Sequence, residues 1–237
     1  MEILEFNIDN NSFDKSLIKL SNIDGVQDSF ILDNVLSEQE CDLIIESVFN
    51  GEHHNSLTSQ PVLFRGWSEN PDDEYKKIGK RVIRTSKSIS KILSHRIESF
   101  IVKNKSTSNL NGKQINWGYT GLSHRHRFIS YEQGQVFPTH MDGSYNKSDN
   151  ESSFLTCLFF LNSSGSDYSG GVLEFLTEEN EQPDQSKPSY EVSVISRVEP
   201  KKGRVVIFPH KILHQSSQIT NGTKYLIRND IMFEIIP

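Results

Sequence analysis

The sequence predicts an α+β domain in which helices come first and an antiparallel β-sandwich follows. Two observations carry this. Before about residue 116 the apolar residues recur at three- and four-residue spacing, as on a helix face. From about Trp117 the pattern changes to short runs rich in β-branched and aromatic residues: RHRFISYEQ, FLTCLFFL, GVLEFL, EVSVISRV, GRVVIFP, LHQSSQI and TKYLIRNDIMFEII. Turn signals such as NSSGSDYSGG, EPKKG and TNGT separate these runs and leave little room for helices between them. A parallel βαβ sheet is therefore excluded.

Taken in order, residues 1–26 are polar and unperiodic and read as an N-terminal extension. The stretch FILDNVLSEQECDLIIESVF follows, with a short strand at Phe30–Leu32 and then a helix. Ser37 and Glu40 form the S-x-x-E capping pattern at its start, and Ile44, Ile45 and Val48 supply its apolar face. A second helical stretch is expected from Asp73 to Val102, where Ile78, Val82, Ile89, Leu93 and Ile97 share the helical period, with a serine-rich break at Arg84–Ser90. The expected organisation is one domain over 27–237, with a helical lead-in at 27–116 and a β core at 117–237. Gly143–Ser153 and Glu178–Ser189 read as long polar loops.

Composition narrows the function. The 14 phenylalanines and 7 tyrosines give the 237-residue chain enough large apolar surface for a core, although only 35% of it is apolar. The net charge of −6 and the lack of a basic run argue against duplex nucleic acid or an anionic membrane as partner. No apolar stretch reaches membrane-spanning length and no secretory leader is recognisable, so a cytoplasmic location is expected. Cys41 and Cys157 sit among apolar neighbours and read as buried, inert thiols.

One histidine stands apart. In YEQGQVFPTHMDGS, His140 precedes Asp142 by two residues, and side chains at i and i+2 of a strand point to one face. Downstream, GRVVIFPHKILHQSSQI offers His210 and His214, either of which completes a set of two imidazoles and one carboxylate. Such a set on one face of iron leaves three positions open. A second signal lies in TKYLIRNDIMF, where Lys224 and Arg228 share a strand face. Two cations pointing into a sandwich need an anion to meet them.

Together these pieces resemble the iron(II)/2-oxoglutarate-dependent dioxygenases, in particular the prolyl 4-hydroxylase-like branch. The resemblance rests on Y-x-x-G-Q-x-F-x-x-H-x-D (Tyr131 to Asp142), FLTCLFFLN, YSGGVLEF, P-x-x-G-R-V-V-I-F and KYLIR, in that order, with FILDNVLSEQEC as lead-in. It implies a double-stranded β-helix (jelly roll) with N-terminal helices packed on one sheet. It implies iron ligands His140, Asp142 and His214, the last preferred over His210 by its spacing to Lys224. Lys224 would anchor the far carboxylate of 2-oxoglutarate, Tyr131 would hydrogen-bond that co-substrate, and Arg228 would line the same pocket in a secondary role. Arg127, on the face of Tyr131, would brace a core carboxylate. The implied activity is hydroxylation of an unidentified substrate with release of succinate and CO2, with an L-ascorbate requirement common among such enzymes. The substrate class runs from peptidyl proline through other protein side chains to a small metabolite. Phe159, Phe160, Met232 and Phe233 depart from the prolyl hydroxylase pattern and weaken the case for proline. The alternative reading is a non-catalytic metal-binding jelly-roll scaffold or sensor.

Overall fold

The structure is a computed structural model that describes residues 8, 13–50, 60–64, 76–108, 111–178 and 192–237. The expected loop at Glu178–Ser189 lies almost wholly outside the described residues, as do His53 and His54.

The lead-in mixes strands with helices. It holds β1 (Lys19–Asn22), β2 (Phe30–Asp33), α1 (Glu38–Ile45), β3 (Gln60–Phe64), β4 (Lys76–Thr85), α2 (Lys87–Ile97) and β5 (Asn104–Ser108). The capping box is present at α1: Ser37 Oγ accepts from the Glu40 amide, and the Glu40 carboxylate accepts from the Ser37 amide. Glu40 also binds Arg96 of α2 through two short contacts of 2.8 and 2.7 Å, tying the two helices together. Arg96 is fully buried and donates to the Val35 carbonyl as well.

Two expectations for this region change. The helix expected over 73–102 is half strand, since β4 precedes α2. The spacing of four between Ile78 and Val82 fits a strand as well as a helix, because an even spacing keeps one face in both. The serine-rich break holds the true helix start, where Ser86 Oγ caps the Ile89 amide. The extension is also better attached than its polarity suggests. β1 pairs with β2, and Ile23 and Val26 are buried in the core.

The remainder is all strand: β6 (Gln114–Leu122), β7 (Arg125–Glu132), β8 (Phe137–His140), β9 (Asn146–Ser148), β10 (Glu151–Phe160), β11 (Ser169–Gly170), β12 (Leu173–Glu178), β13 (Val192–Val198), β14 (Val205–Pro209), β15 (His214–Ser216), β16 (Ile219–Asn221) and β17 (Thr223–Ile236). Among the described residues a large sheet runs β1-β2-β14-β10-β17-β7-β4-β3, and a smaller one runs β13-β12-β15-β8. All named strand pairs are antiparallel, and the two sheets form a jelly roll. The 14 residues of β17 exchange partners midway, from β7 over 223–228 to β6 over 231–236.

Two cores result. On the outer face of the large sheet, α1 and α2 bury Cys41, Ile44, Ile89, Leu93 and Ile97 against Phe128, Phe159 and Ile227. Between the sheets lie Ile129, Leu158, Phe160, Phe175, Val206, Phe208 and Leu226. Both cysteines are buried, and burial pushes the Cys41 thiol up to about 12. Gly143–Ser153, expected as a loop, contains β9, which pairs back onto β10. Among the described residues no helix is long and apolar enough to cross a membrane.

The Arg96–Glu40 pair gives a test of how the helices are held. Arg96→Met leaves the Val35 carbonyl without its arginine donor and the Glu40 carboxylate with only the Ser37 amide, so urea unfolding should show a loss of about 3 kcal/mol or more. Ser37→Ala removes one cap and should lose only about 1 kcal/mol.

Candidate active site

The smaller sheet brings two histidines face to face. β15 pairs with β8 so that His214 lies opposite His140, and their ring centroids are 4.1 Å apart. Asp142 follows two residues after His140, and its amide is fixed by the His210 carbonyl. One ligand atom from each of His140, Asp142 and His214 lies within 4.8 Å of the others. Both Nε2 atoms stand 3.8 Å from the Asp142 carboxylate.

The tautomers follow from local backbone. His140 Nδ1 sits 2.9 Å from the Pro138 carbonyl, and His214 Nδ1 sits 2.8 Å from the Ile212 carbonyl. A carbonyl only accepts, so each Nδ1 carries the proton and each Nε2 lone pair faces Asp142. Burial pulls His140 down to about 4, helped by His214, and burial lowers His214 as well. Both imidazoles are neutral at pH 7.

Asp142 is the charged member. Burial alone would raise it, but the Arg228 guanidinium, His214, the Thr156 hydroxyl and His140 together hold it at about 2. Arg228 Nε and Nη2 each lie 3.1 Å from Asp142 Oδ1, while Thr156 Oγ1 donates to Oδ2. His210 is spent elsewhere. Its Nδ1 meets Thr156 Oγ1 and its Nε2 meets Ser153 Oγ, both at 2.8 Å, so neither nitrogen is free to ligate. Two neutral imidazoles and one carboxylate, each oriented by a hydrogen bond on its far side, fit a divalent first-row metal.

A cavity adjoins this triad, walled by Ile129, Leu158, Phe160, Leu173 and Leu226, with Tyr131, Lys224 and Arg228 among its polar members. Lys224 is 1% exposed. Its Nζ donates to the Gly171 carbonyl at 2.6 Å and the Ser216 hydroxyl at 2.9 Å. An ammonium has three N–H groups, so one remains for the cavity. Burial lowers Lys224 to about 7. Gly171 has φ +68°, and a Cβ there would meet Ile219 and crowd the Lys224 stem. Tyr131 is buried over Gly79, and burial raises its phenol well above the usual range.

All six candidate residues line one cavity. Within it the Arg228 guanidinium reaches Asp142, a contact that the spacing along the strand does not reveal. Thr156, Ser216 and Gly171 were not singled out from the sequence. Thr156 left one trace, a lone hydroxyl in the apolar run FLTCLFF. No side chain of Gly143–Ser153 lines the cavity.

Residues 126–229 match the family model of the 2OG-Fe(II) oxygenase superfamily. The chain carries a 2OG-Fe(II) oxygenase domain. The oxygenase shares its fold with a prolyl-4-hydroxylase of Pseudomonas putida, at 11% identity and a TM-score of 0.51, over 86% of this chain and 91% of that one. It also resembles a Trichoplax adhaerens prolyl hydroxylase solved with a hypoxia-inducible-factor peptide, at 17% identity and a TM-score of 0.51, over 86% of this chain and 82% of that one. No curated protein matches the oxygenase in sequence. Its class is that of the 2-oxoglutarate-dependent dioxygenases.

Calorimetric titration with Zn(II) tests the triad directly. Affinity should vanish in His140→Ala and His214→Ala, and should fall roughly tenfold to a hundredfold in Thr156→Val, which frees the Asp142 carboxylate. His210→Ala should retain Zn(II) binding, because both of its nitrogens serve hydroxyl groups.

Proposed function

We propose that the oxygenase hydroxylates a C–H bond of an unidentified protein side chain or small metabolite, with iron(II) held by His140, Asp142 and His214. The observation that supports a second, anionic co-substrate is Lys224. Both hydrogen-bond partners of this buried lysine are neutral, and Glu199 acts on it only through its charge, without a hydrogen bond. The lysine is therefore costly to keep charged, and its spare N–H points to an anion as the missing partner. The far carboxylate of 2-oxoglutarate fits that need.

Bound iron(II) and 2-oxoglutarate supply the oxidising chemistry: O2 is consumed, one oxygen atom enters succinate as CO2 leaves, and the other enters the substrate. The protein's own residues do the rest. Asp142 brings one negative charge to the metal, and the two imidazoles bring none. The Nδ1 protons, held by backbone carbonyls, keep both rings from rotating. Lys224 donates to the co-substrate, and the Tyr131 hydroxyl is the second polar group at that end. Ile129, Leu158, Phe160 and Leu226 keep water out, which strengthens each charged contact in the pocket. L-ascorbate belongs to the same reading as an agent that returns oxidised iron to the ferrous state.

Succinate release from 2-oxoglutarate should require iron(II) and disappear in Asp142→Ala; iron-independent or absent release from the wild-type protein overturns the reading. Lys224→Ala removes a charge-assisted contact of about 1.5–3 kcal/mol, so the apparent 2-oxoglutarate constant should rise roughly tenfold to a hundredfold. Its maximal turnover should fall less, because the contact exists in ground and transition states alike.

A pH dependence follows from the same lysine. In the free protein Lys224 titrates at about 7, below its ordinary value of 10.5, because burial disfavours the charge. An anion beside it restores the proton. Binding should therefore take up a proton above pH 7, and 2-oxoglutarate affinity should weaken as pH rises from 7 to 9. Calorimetry in buffers of different ionisation enthalpy measures that uptake directly.

A further inference from the structure

Three arginines from neighbouring strands share the inner face of the large sheet beside the metal triad. Arg228 of β17 pairs directly with Arg127 of β7. On the other side of β7, Ile83 of β4 pairs with Arg127, and Arg81 pairs with Ile129. Residues two apart in a strand share a face, so Arg81, Arg127 and Arg228 all project toward the side of Ile129 and Tyr131, which wall the cavity. Gly79 confirms the direction for β4: a Cβ on it would come within 3.0 Å of the Tyr131 ring. Directly paired side chains start about 5 Å apart and diagonal ones about 7 Å, so three guanidiniums fall within reach of one another.

Two carboxylates face them. Asp230 accepts from Arg127 at 2.6 Å. Arg228 Nη1 lies 3.1 Å from the other Asp230 oxygen, at an angle too oblique for a hydrogen bond, since that oxygen has no hydrogen-bond donor. Asp142 takes the rest of Arg228. Arg81 is left over. Its Nε is buried with no hydrogen-bond partner, and it forms no ion pair among the described residues. Burial and the like charges of Arg127 and Arg228 lower its pKa, and the only group acting the other way is the Tyr131 phenol. Three guanidiniums against two carboxylates leave one positive charge beside the cavity wall, and one of those carboxylates is also a candidate metal ligand.

We propose that Arg81 is the docking point for a carboxylate carried by the substrate. A guanidinium offers a planar fork that a carboxylate matches in two hydrogen bonds. A single unbalanced charge suits a carboxylate better than a phosphate dianion. The co-substrate does not fill this role, because Arg81 stands two strands, about 10 Å, sideways from the strand of Lys224. The matching group is a free carboxyl on a small acid or a peptide end, or the side chain of an acidic residue within a peptide. This assignment rests on the oxygenase reading for the placement of the reactive centre, and it names the class of substrate brought there.

Ligand-observed NMR on the Zn(II)-loaded protein with 2-oxoglutarate tests it without turnover. The probes are N-acetylglycine against N-acetylglycinamide for a free carboxyl, and N-acetylaspartate N-methylamide against its asparagine analogue for a side chain. At least one acid should bind ten times more tightly than its amide, and the pair showing the preference identifies the source. Arg81→Gln should reduce that preference to less than about twofold, Arg81→Lys should recover part of it, and Lys105→Gln on distant β5 should leave it intact. Equal binding of acid and amide by the wild-type protein overturns the proposal, as does a preference that survives Arg81→Gln. A 2-oxoglutarate titration on the same samples separates the two readings. Acid preference without 2-oxoglutarate binding overturns the oxygenase reading and leaves Arg81 assigned, whereas 2-oxoglutarate binding without acid preference overturns Arg81 alone.

Discussion

A single buried carboxylate, Asp142, is the constraint from which the polar interior follows. A negative charge between two sheets is expensive unless it is paired and hydrogen-bonded. Arg228 and Thr156 meet that need from the large sheet. Each brings a further requirement with it. Arg228 needs Asp230, which in turn takes Arg127, and Thr156 is oriented by His210 and through it by Ser153. The chain of partners crosses β10, β17 and β7 and stops short of Arg81, which no carboxylate meets among the described residues.

The cavity is divided along β17. Lys224 and Arg228 sit four residues apart on the same face, about 13 Å along the strand. At one end the lysine rests on neutral partners and keeps a donor free; at the other the arginine is committed to Asp142. Apolar side chains, Leu226 and its neighbours Ile129 and Leu158, fill the interval, so the two ends are kept apart by distance. The same two cations that look equivalent in the sequence are therefore not interchangeable in the fold.

Much of this was legible from local rules. The capping box at Ser37 and Glu40 depends on residues three apart and appears in the structure as read. His140 and Asp142 share a face because a strand has period two, a purely local fact. Lys224 and Arg228 point inward for the same reason. Residues 76–85 suit a helix and a strand alike, because an apolar spacing of four fits both periods, and Arg81 gains meaning only in the strand, as the diagonal neighbour of Arg127. Thr156, Ser216 and Gly171 were invisible for a related reason: each acts on a residue at least eight positions away.

By itself, the sequence determined the α+β class, the change from helix-bearing lead-in to strand-rich core, and the residue types of a two-histidine, one-carboxylate centre, since these depend on composition and near-neighbour spacing. Only the tertiary structure decided which later histidine faces Asp142. Both His210 and His214 follow apolar strand residues, but pairing of β15 with β8 sets His214 against His140, while both nitrogens of His210 are taken by hydroxyl groups from β10. It likewise decided that Arg228 meets Asp142 and that Lys224 forms no ion pair with a carboxylate among the described residues. Strand register and sheet-to-sheet packing determine those partners, and neither is encoded in the spacing of residues along one strand.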